Sequence, residues 1–550
     1  MKSLMILFII IIAPIALFAV TGEVISSYPT PYSCPGGMAS DGKYLYIVDS
    51  KSDTIYKIDP QSGKVVSEFP APGHKPKGLT YDGKYLWMVD AEEGVILKID
   101  PDTKINVKTL WCPANDPAGL AWDGKCLWLA DAGADKLLQV STEDGTTIKE
   151  LKSPSRNPTG LAYDGTYLWV ADRGANYIYM VWPATGEVIL MFDSPNEYPW
   201  GLALVDSKLY CADYQSDSIY TIVTDDDELS YAKDPVYENC EYTHQVRNYG
   251  PGIVRNVNIY LAVPENSGHQ ELLEAPVYES SVNHEIISDR WGQKVAKFHF
   301  DQLKPGEMAQ ASYKTKAKIY DQWLFIRPEK VGQLKDIPKD IAKKYLVDDT
   351  KFDLKSDIIQ TAVKKAVGDE TNPYWMMRKI FDYIIANMSY ELAGGWNIAP
   401  TVLERGNGSC SEYSFVFTAM CRAAGLPARY EGSIVQRGDL ASEDDVFHRW
   451  CQVYLPKIGW VPVDPSGGDQ DWPEGQARYI GHLSNRYLVT TIGGGGSEYL
   501  GWQYNSYETY ESEGICKIYS ENIGEWSPAD SSDVKMSDKM PLEPMQCKPR

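Results

Sequence analysis

The chain is short of positive charge. Its 550 residues hold 53 Lys and Arg against 75 Asp and Glu, a formal net charge of −22. Phosphate backbones demand a basic surface, so nucleic acid is excluded as a partner. Histidine is scarce, with seven residues, and the ten cysteines are scattered without a Cys-x-x-Cys pair or a Cys/His cluster. That layout speaks against zinc, and no calcium loop is recognisable, so no metal and no other cofactor is expected. Long apolar runs are missing after residue 20. The one such run, residues 4–20, follows Lys2, contains Pro14 and is followed by no tidy Ala-x-Ala site. It reads as an export signal, cleaved or retained as a membrane anchor, which puts the folded part at the cell surface or outside the cell. Phenylalanine is rare, 12 residues against 37 tyrosines. That balance suits half-exposed sheets facing carbohydrate or peptide.

What is present starts with a repeat. A hydrophobic share of 43% and a mean hydropathy of −0.34 allow several cores. Gly37, Gly78, Gly119, Gly160 and Gly201 recur at 41-residue steps, as do Tyr46, Trp87, Trp128, Trp169 and Tyr210. Asp49, Asp90, Asp131, Asp172 and Asp213 keep the same step, and Asp-Gly turns fall at 41–42, 82–83, 123–124 and 164–165, with Asp206-Ser207 in fifth place. Each unit reads as four short strands, the pattern of a β-propeller blade. The units resemble the YVTN/NHL class of propellers. The fourth strand of the unit also occurs at the start, over 21–28, so it would complete the last of five blades and leave no open edge. A sixth, degenerate blade from Glu228 is the competing reading. The repeated Asp and Trp are expected to stabilise blades, and the propeller to bind a polymer or a partner protein. Residues 227–325 alternate like strands and read as an immunoglobulin-like β-sandwich. The polar tail 528–550 is expected to be mobile.

Chemistry concentrates in three stretches: Gly406-Asn-Gly-Ser-Cys410-Ser-Glu-Tyr, His448-Arg-Trp450, and Trp460-Val-Pro-Val-Asp464-Pro. Ser409 and Glu412 form a capping box, so Cys410 lies in the first turn of a helix that ends at Gly425-Leu-Pro427. Unpaired N–H groups and the helix dipole there favour a thiolate. Residues 447–455 and 460–464 read as a hairpin pairing Leu455 with Gly459 across a three-residue loop. That register sets Asp464 opposite Trp450 and diagonal to His448, and sends Cys451, Val453, Val461 and Val463 to the core. A thiol, an imidazole and a carboxylate complete a cysteine-hydrolase set. Cys421 reads as core, and Cys112 with Cys126 as a candidate disulfide.

These motifs, with Ala-Gly-Leu-Pro-Ala-Arg429 and the helical lead-in at 374–390, resemble the transglutaminase-like cysteine superfamily. The resemblance implies an α+β papain-like fold with Cys410 as nucleophile, His448 as base and acid, and Asp464 orienting the imidazole. It implies an oxyanion donor upstream of the cysteine, for which Trp396 and Asn397 are candidates. Trp450 is a candidate substrate contact, and Arg429 is expected to anchor structure. The expected chain is therefore multidomain: a signal or anchor (1–20), a five-bladed all-β propeller (21–226), a β-sandwich (227–325), a catalytic α+β domain of transglutaminase fold (326–527) and a tail (528–550). Its substrate would be a protein or peptide. Hydrolysis of an amide, acyl transfer to an amine, and non-catalytic adhesion all remain open at this point.

Overall fold

The structure is a computed structural model that describes residues 20–226, 230–392, 396–438 and 442–529. Most of the expected signal segment and of the tail lies outside those residues. No helix among the described residues is long and apolar enough to cross a membrane.

Residues 24–223 form five four-stranded antiparallel sheets. The first runs Pro35–Ser40, Leu45–Asp49, Thr54–Ile58, Val65–Pro70, and the next three repeat this order along the chain. The fifth joins Pro199–Val205, Lys208–Asp213 and Ser218–Val223 to the N-terminal strand Val24–Pro29, which pairs with Ser218–Val223. The repeat explains the packing. A Cβ on Gly37, Gly78, Gly119 or Gly160 would collide with backbone of the following sheet, and one on Gly201 with Gly36 of the first. The innermost strands therefore touch backbone to backbone, each on the next and the fifth on the first.

Repeated polar residues serve these sheets. Asp82 Oδ1 accepts the Lys84 and Tyr85 amides at 3.0 and 2.7 Å, and its Oδ2 accepts the Trp87 indole N–H at 2.8 Å. Asp123 with Trp128 and Asp164 with Trp169 repeat the indole bond at 3.0 and 2.9 Å. Nine described cysteines are free thiols, and the Cys112–Cys126 disulfide is not present. Cys112 packs with Leu110, Leu120 and Leu127, where burial pushes its thiol up to about 11. Cys126 belongs to a different device, its amide held by Asp123 at 2.7 Å.

The long strand Ser230–Ala262 organises the middle of the molecule. It pairs with Met308–Leu324, with Lys294–Leu303 and with the C-terminal strand Ser506–Pro528. Pairing thus crosses the expected boundary at 325/326. Cys240, Tyr242, His244 and Val246 alternate inward on this strand, and Ile434 and Leu488 from later in the chain share its apolar cluster.

The last part is a four-stranded antiparallel sheet in the order Gly459–Val463, His448–Leu455, Ala428–Val435, Tyr487–Gly493. The helix Cys410–Ala423 packs on it and on the helices Asp357–Val367, Pro373–Asn387 and Ala399–Arg405. That helix is buried on every side, so its polar residues Glu412, Ser414, Thr418 and Arg422 are satisfied within the protein. It meets the repeat array through neighbours: Trp375 lies 5.5 Å from Trp182, and Arg378 donates to the Val188 carbonyl at 3.2 Å.

Candidate active site

The helix N-terminus is built by its own first turn. Glu412, fully buried, accepts the Ser409 amide at 3.3 Å and completes the capping box. Arg405 pairs with the same carboxylate at 2.8 Å. Gly406, at φ +78°, ends the preceding helix in the left-handed region, which lets the chain turn into the cap. Cys410 then sits at the first helical position with 7% of its surface exposed.

The hairpin brings the imidazole and the carboxylate. Leu455 pairs with Gly459 and Cys451 with Val463, the register a three-residue turn demands. The first strand begins at His448 and not at Phe447, because Phe447 adopts φ +60°. Buried Asp444 holds that turn, accepting the Phe447 amide at 3.1 Å and Arg437 Nε at 2.7 Å. His448 Nε2 lies 2.7 Å from Asp464 Oδ2. Asp464 Oδ1 is saturated separately by the Ser466 amide (3.0 Å), the Ser466 hydroxyl (2.7 Å) and the Gly467 amide (3.0 Å). The carboxylate is thereby fixed in rotation, with one oxygen left for the imidazole.

The electrostatics follow from burial opposed by pairing. Burial disfavours a charged His448, yet the Asp464 charge, its hydrogen bond and the bond to Cys410 push the imidazole up to about 10. Burial likewise opposes thiolate formation at Cys410, but hydrogen bonding to His448, its charge and the Arg449 amide together bring the thiol below its ordinary value. Asp464 is lowered for the same reason, burial being outweighed by His448 and by its turn donors. A thiolate–imidazolium pair is the form this arrangement favours.

Of the other sequence candidates, Asn397 is held by the helix cap. Its backbone and side-chain N–H both donate to Glu412, at 3.1 and 3.3 Å, so it braces the helix cap. Trp450 is 1% exposed and donates to Glu431 at 2.7 Å. Its ring lies 5.8 Å from His448, where it supports the imidazole and presents nothing to solvent. Trp396 is 38% exposed and lies over the Arg449 guanidinium at 5.2 Å. Arg429 lies 4.0 Å over the Trp460 ring and donates to Gln452.

Sequence reasoning missed Tyr504 and Arg449 as site residues. The Tyr504 hydroxyl reaches Cys410 and Ser411, and burial, then the Cys410 charge, keep the phenol protonated well above its usual range. Its ring rests 4.4 Å from the Arg449 guanidinium, which is fully buried and also faces Tyr430 at 4.4 Å. No local signal marks Tyr504, since it is one of 37 tyrosines and lies 94 positions beyond the cysteine.

Residues 360–465 match the model of the transglutaminase-like superfamily. They form a transglutaminase-like domain, a fold of the thiol-enzyme type. An uncharacterized protein of Haemophilus influenzae is 31% identical over 157 residues, covering 23% of this chain and 42% of that protein. The uncharacterized protein YebA of Bacillus subtilis is 24% identical over 128 residues, covering 20% of this chain and 17% of its own length. The chain therefore spans less than half of either curated relative. Among solved structures, a candidate cysteine protease of Cytophaga hutchinsonii is 15% identical, with 56% of this chain and 95% of that chain covered and a TM-score of 0.39. Glutaminyl cyclase of Myxococcus xanthus is 14% identical, with 36% and 95% covered and a TM-score of 0.34.

Proposed function

We propose that this chain is an exported thiol hydrolase that cleaves peptide or side-chain amides through Cys410, His448 and Asp464. The observation that carries the reading is the 2.7 Å His448–Asp464 contact on an imidazole that also engages Cys410. The Cys410 thiolate attacks the amide carbonyl, and the carbonyl π pair moves onto oxygen. Collapse expels the amine, which takes its proton from His448, and leaves a thioester. His448 then removes a proton from water, whose attack releases the acid and regenerates the thiol. Asp464 supports the imidazolium throughout.

The tetrahedral oxyanion needs donors, and two are at hand: the Cys410 backbone N–H at the helix start and the Tyr504 hydroxyl. Tyr504 takes the place expected of Trp396 or Asn397. Water is taken as the acceptor, reaching the site past Tyr390 and Trp396, which are exposed at 47 and 38%. We read the five repeat sheets as a five-bladed propeller serving as the binding module, and residues 227–325 as the core of a β-sandwich that joins it to the catalytic part.

The test is mass spectrometry of a peptide pool incubated with the wild-type chain or Cys410→Ala, with and without a labelled primary amine. Cleaved or deamidated peptides confined to wild type support hydrolysis. Amine-adducted glutamines would replace it with transfer, and identical pools from both chains would sink the thiol mechanism.

A further inference from the structure

The innermost strands of the repeat array vary at two registers: Gly36, Lys77, Ala118, Thr159 and Trp200 just before the fixed glycines, and a second position four residues on. On the innermost strands, Met38, Leu79, Leu120, Leu161 and Leu202 are all buried at 2% exposure or less, each in a separate apolar cluster. One residue on, the repeats carry Ala39, Thr80, Ala121, Ala162 and Ala203, all small. At the next position they diverge to Ser40, Tyr81, Trp122, Tyr163 and Leu204. Between the two registers packing keeps the strands nearly alike, with a glycine, a Met or Leu, and a small residue in each. At both registers the fold leaves the side chains free to vary, and the second lies at the mouth of the axis.

That mouth is a depression of about 390 Å³, lined from all five sheets. Tyr81, Trp122 and Tyr163 come from three consecutive sheets, and the smaller Ser40 and Leu204 line it from the other two. Each ring packs partly against an apolar cluster shared by neighbouring sheets, Tyr81 stacking on Tyr46 at 6.4 Å, and remains partly exposed. The lining holds no charged side chain and no histidine, in a chain of net charge −22. The neighbouring carboxylates Asp82, Asp123 and Asp164 are turned into their sheets, onto indole N–H groups. An ion, a phosphate or a charged peptide finds no counter-charge here. Hydroxyl chemistry is available instead. Ser40 Oγ accepts the Gly42 amide at 3.0 Å and retains its proton to donate. Tyr163 donates its proton to the Gly165 carbonyl at 2.8 Å, which leaves its oxygen free to accept. The Thr80 hydroxyl lies on the same lining.

We infer that the axial depression of the repeat array binds a neutral sugar ring, its C–H face against the rings of Tyr81, Trp122 and Tyr163 and its hydroxyls on Ser40 and Thr80. Aromatic faces beside a few fixed hydroxyl partners, without charge, are the recognition chemistry of an uncharged ring with one apolar face. The site shares no residue with Cys410, His448 or Asp464. It stands whether or not the hydrolase reading does.

The experiment uses the full chain carrying Cys410→Ala, titrated separately with maltotriose, cellotriose and triacetylchitotriose, and with hexaproline as a neutral peptide probe. Calorimetry and tryptophan fluorescence are the readouts. At least one trisaccharide binds saturably with a Kd on the order of 1 mM. Trp122→Ala weakens that binding by at least about tenfold, and Trp122→Phe retains most of it. Unchanged thermal unfolding of both variants separates lost binding from lost folding, and Tyr163→Ala removes a second ring should Trp122→Ala fail to fold. The inference is overturned if no trisaccharide saturates by roughly 20 mM, if sugar binding survives loss of these rings, or if only hexaproline binds.

Discussion

Asp90 in the repeat array and Asp464 in the candidate site use one local device for different ends. Asp90 Oδ1 accepts the amides two and three residues ahead, Glu92 and Glu93, both at 2.9 Å. Asp464 Oδ1 does the same with Ser466 and Gly467, both at 3.0 Å. The two carboxylates part at the second oxygen. Asp90 Oδ2 accepts the His74 and Lys75 amides, so both oxygens are spent on backbone. Asp464 Oδ2 faces the His448 ring. An aspartate satisfied by backbone locks a turn, whereas the same turn with one oxygen on a titratable ring holds that ring in place and favours its charged form. The aspartate is therefore no mark of function by itself. Its second partner is.

The largest break in this comparison comes from removing the thiol. Cys410→Ala should lower acylation by 4-nitrophenyl acetate by at least about 10³-fold with thermal unfolding unchanged. Retained acylation would return the domain to a binding role. Asp464→Asn sharpens the contrast most directly, because an amide oxygen can still accept Ser466 and Gly467 while the charge on His448 is lost. Acylation should fall by about 10²- to 10⁴-fold with little change in stability, while Asp90→Asn should lower the unfolding midpoint and leave acylation alone. Equal outcomes for the two variants would erase the distinction.

Tyr504→Phe comes next, with a fall of about 10- to 100-fold in acylation and little change in alkylation by iodoacetamide, a displacement that forms no oxyanion. A faster reaction in both assays would make Tyr504 a cover over the thiol. The pH profile tests the ion pair itself. Cys410 is depressed and His448 raised to about 10. Alkylation should therefore persist well below the ordinary thiol value of about 8.5 and decline only as pH falls through the depressed thiol pKa. His448→Gln should move that decline upward. The smallest effect belongs to the array. Gly78→Ala, whose Cβ meets Ala118 backbone, should cost about 1–3 kcal/mol in chemical denaturation. Gly124→Ala has open space and bears only the strain of φ +93°, about 1 kcal/mol.

Legibility in the sequence followed the distance between partners. The capping box at Ser409 and Glu412 was readable because its two members lie three positions apart. The hairpin register was readable because turn length dictates it, and the face carrying His448 and Asp464 followed from period-two alternation. Period alone also exposed the 41-residue repeat. The bracing contact of Asn397 was not legible, because nothing upstream of the cysteine says that Glu412 will accept its backbone and side-chain N–H. The Cys112–Cys126 pairing failed for a similar reason, since closeness in sequence does not bring two thiols into one cluster.

By itself, then, the sequence determined the local devices: the repeat, the cap that poises Cys410, and the hairpin that sets imidazole beside carboxylate. Each is closed by hydrogen bonds or alternation within a few residues, so composition and spacing specify it. Tertiary structure decided everything that needed chain closure. It brought Tyr504 to the thiol and buried Arg449 beneath it, and it paired Ser506–Pro528 with Ser230–Ala262. It also gathered five separate inner strands around one mouth. Those contacts join residues tens to hundreds of positions apart, and only the packing of whole sheets selects which of many equivalent side chains arrives.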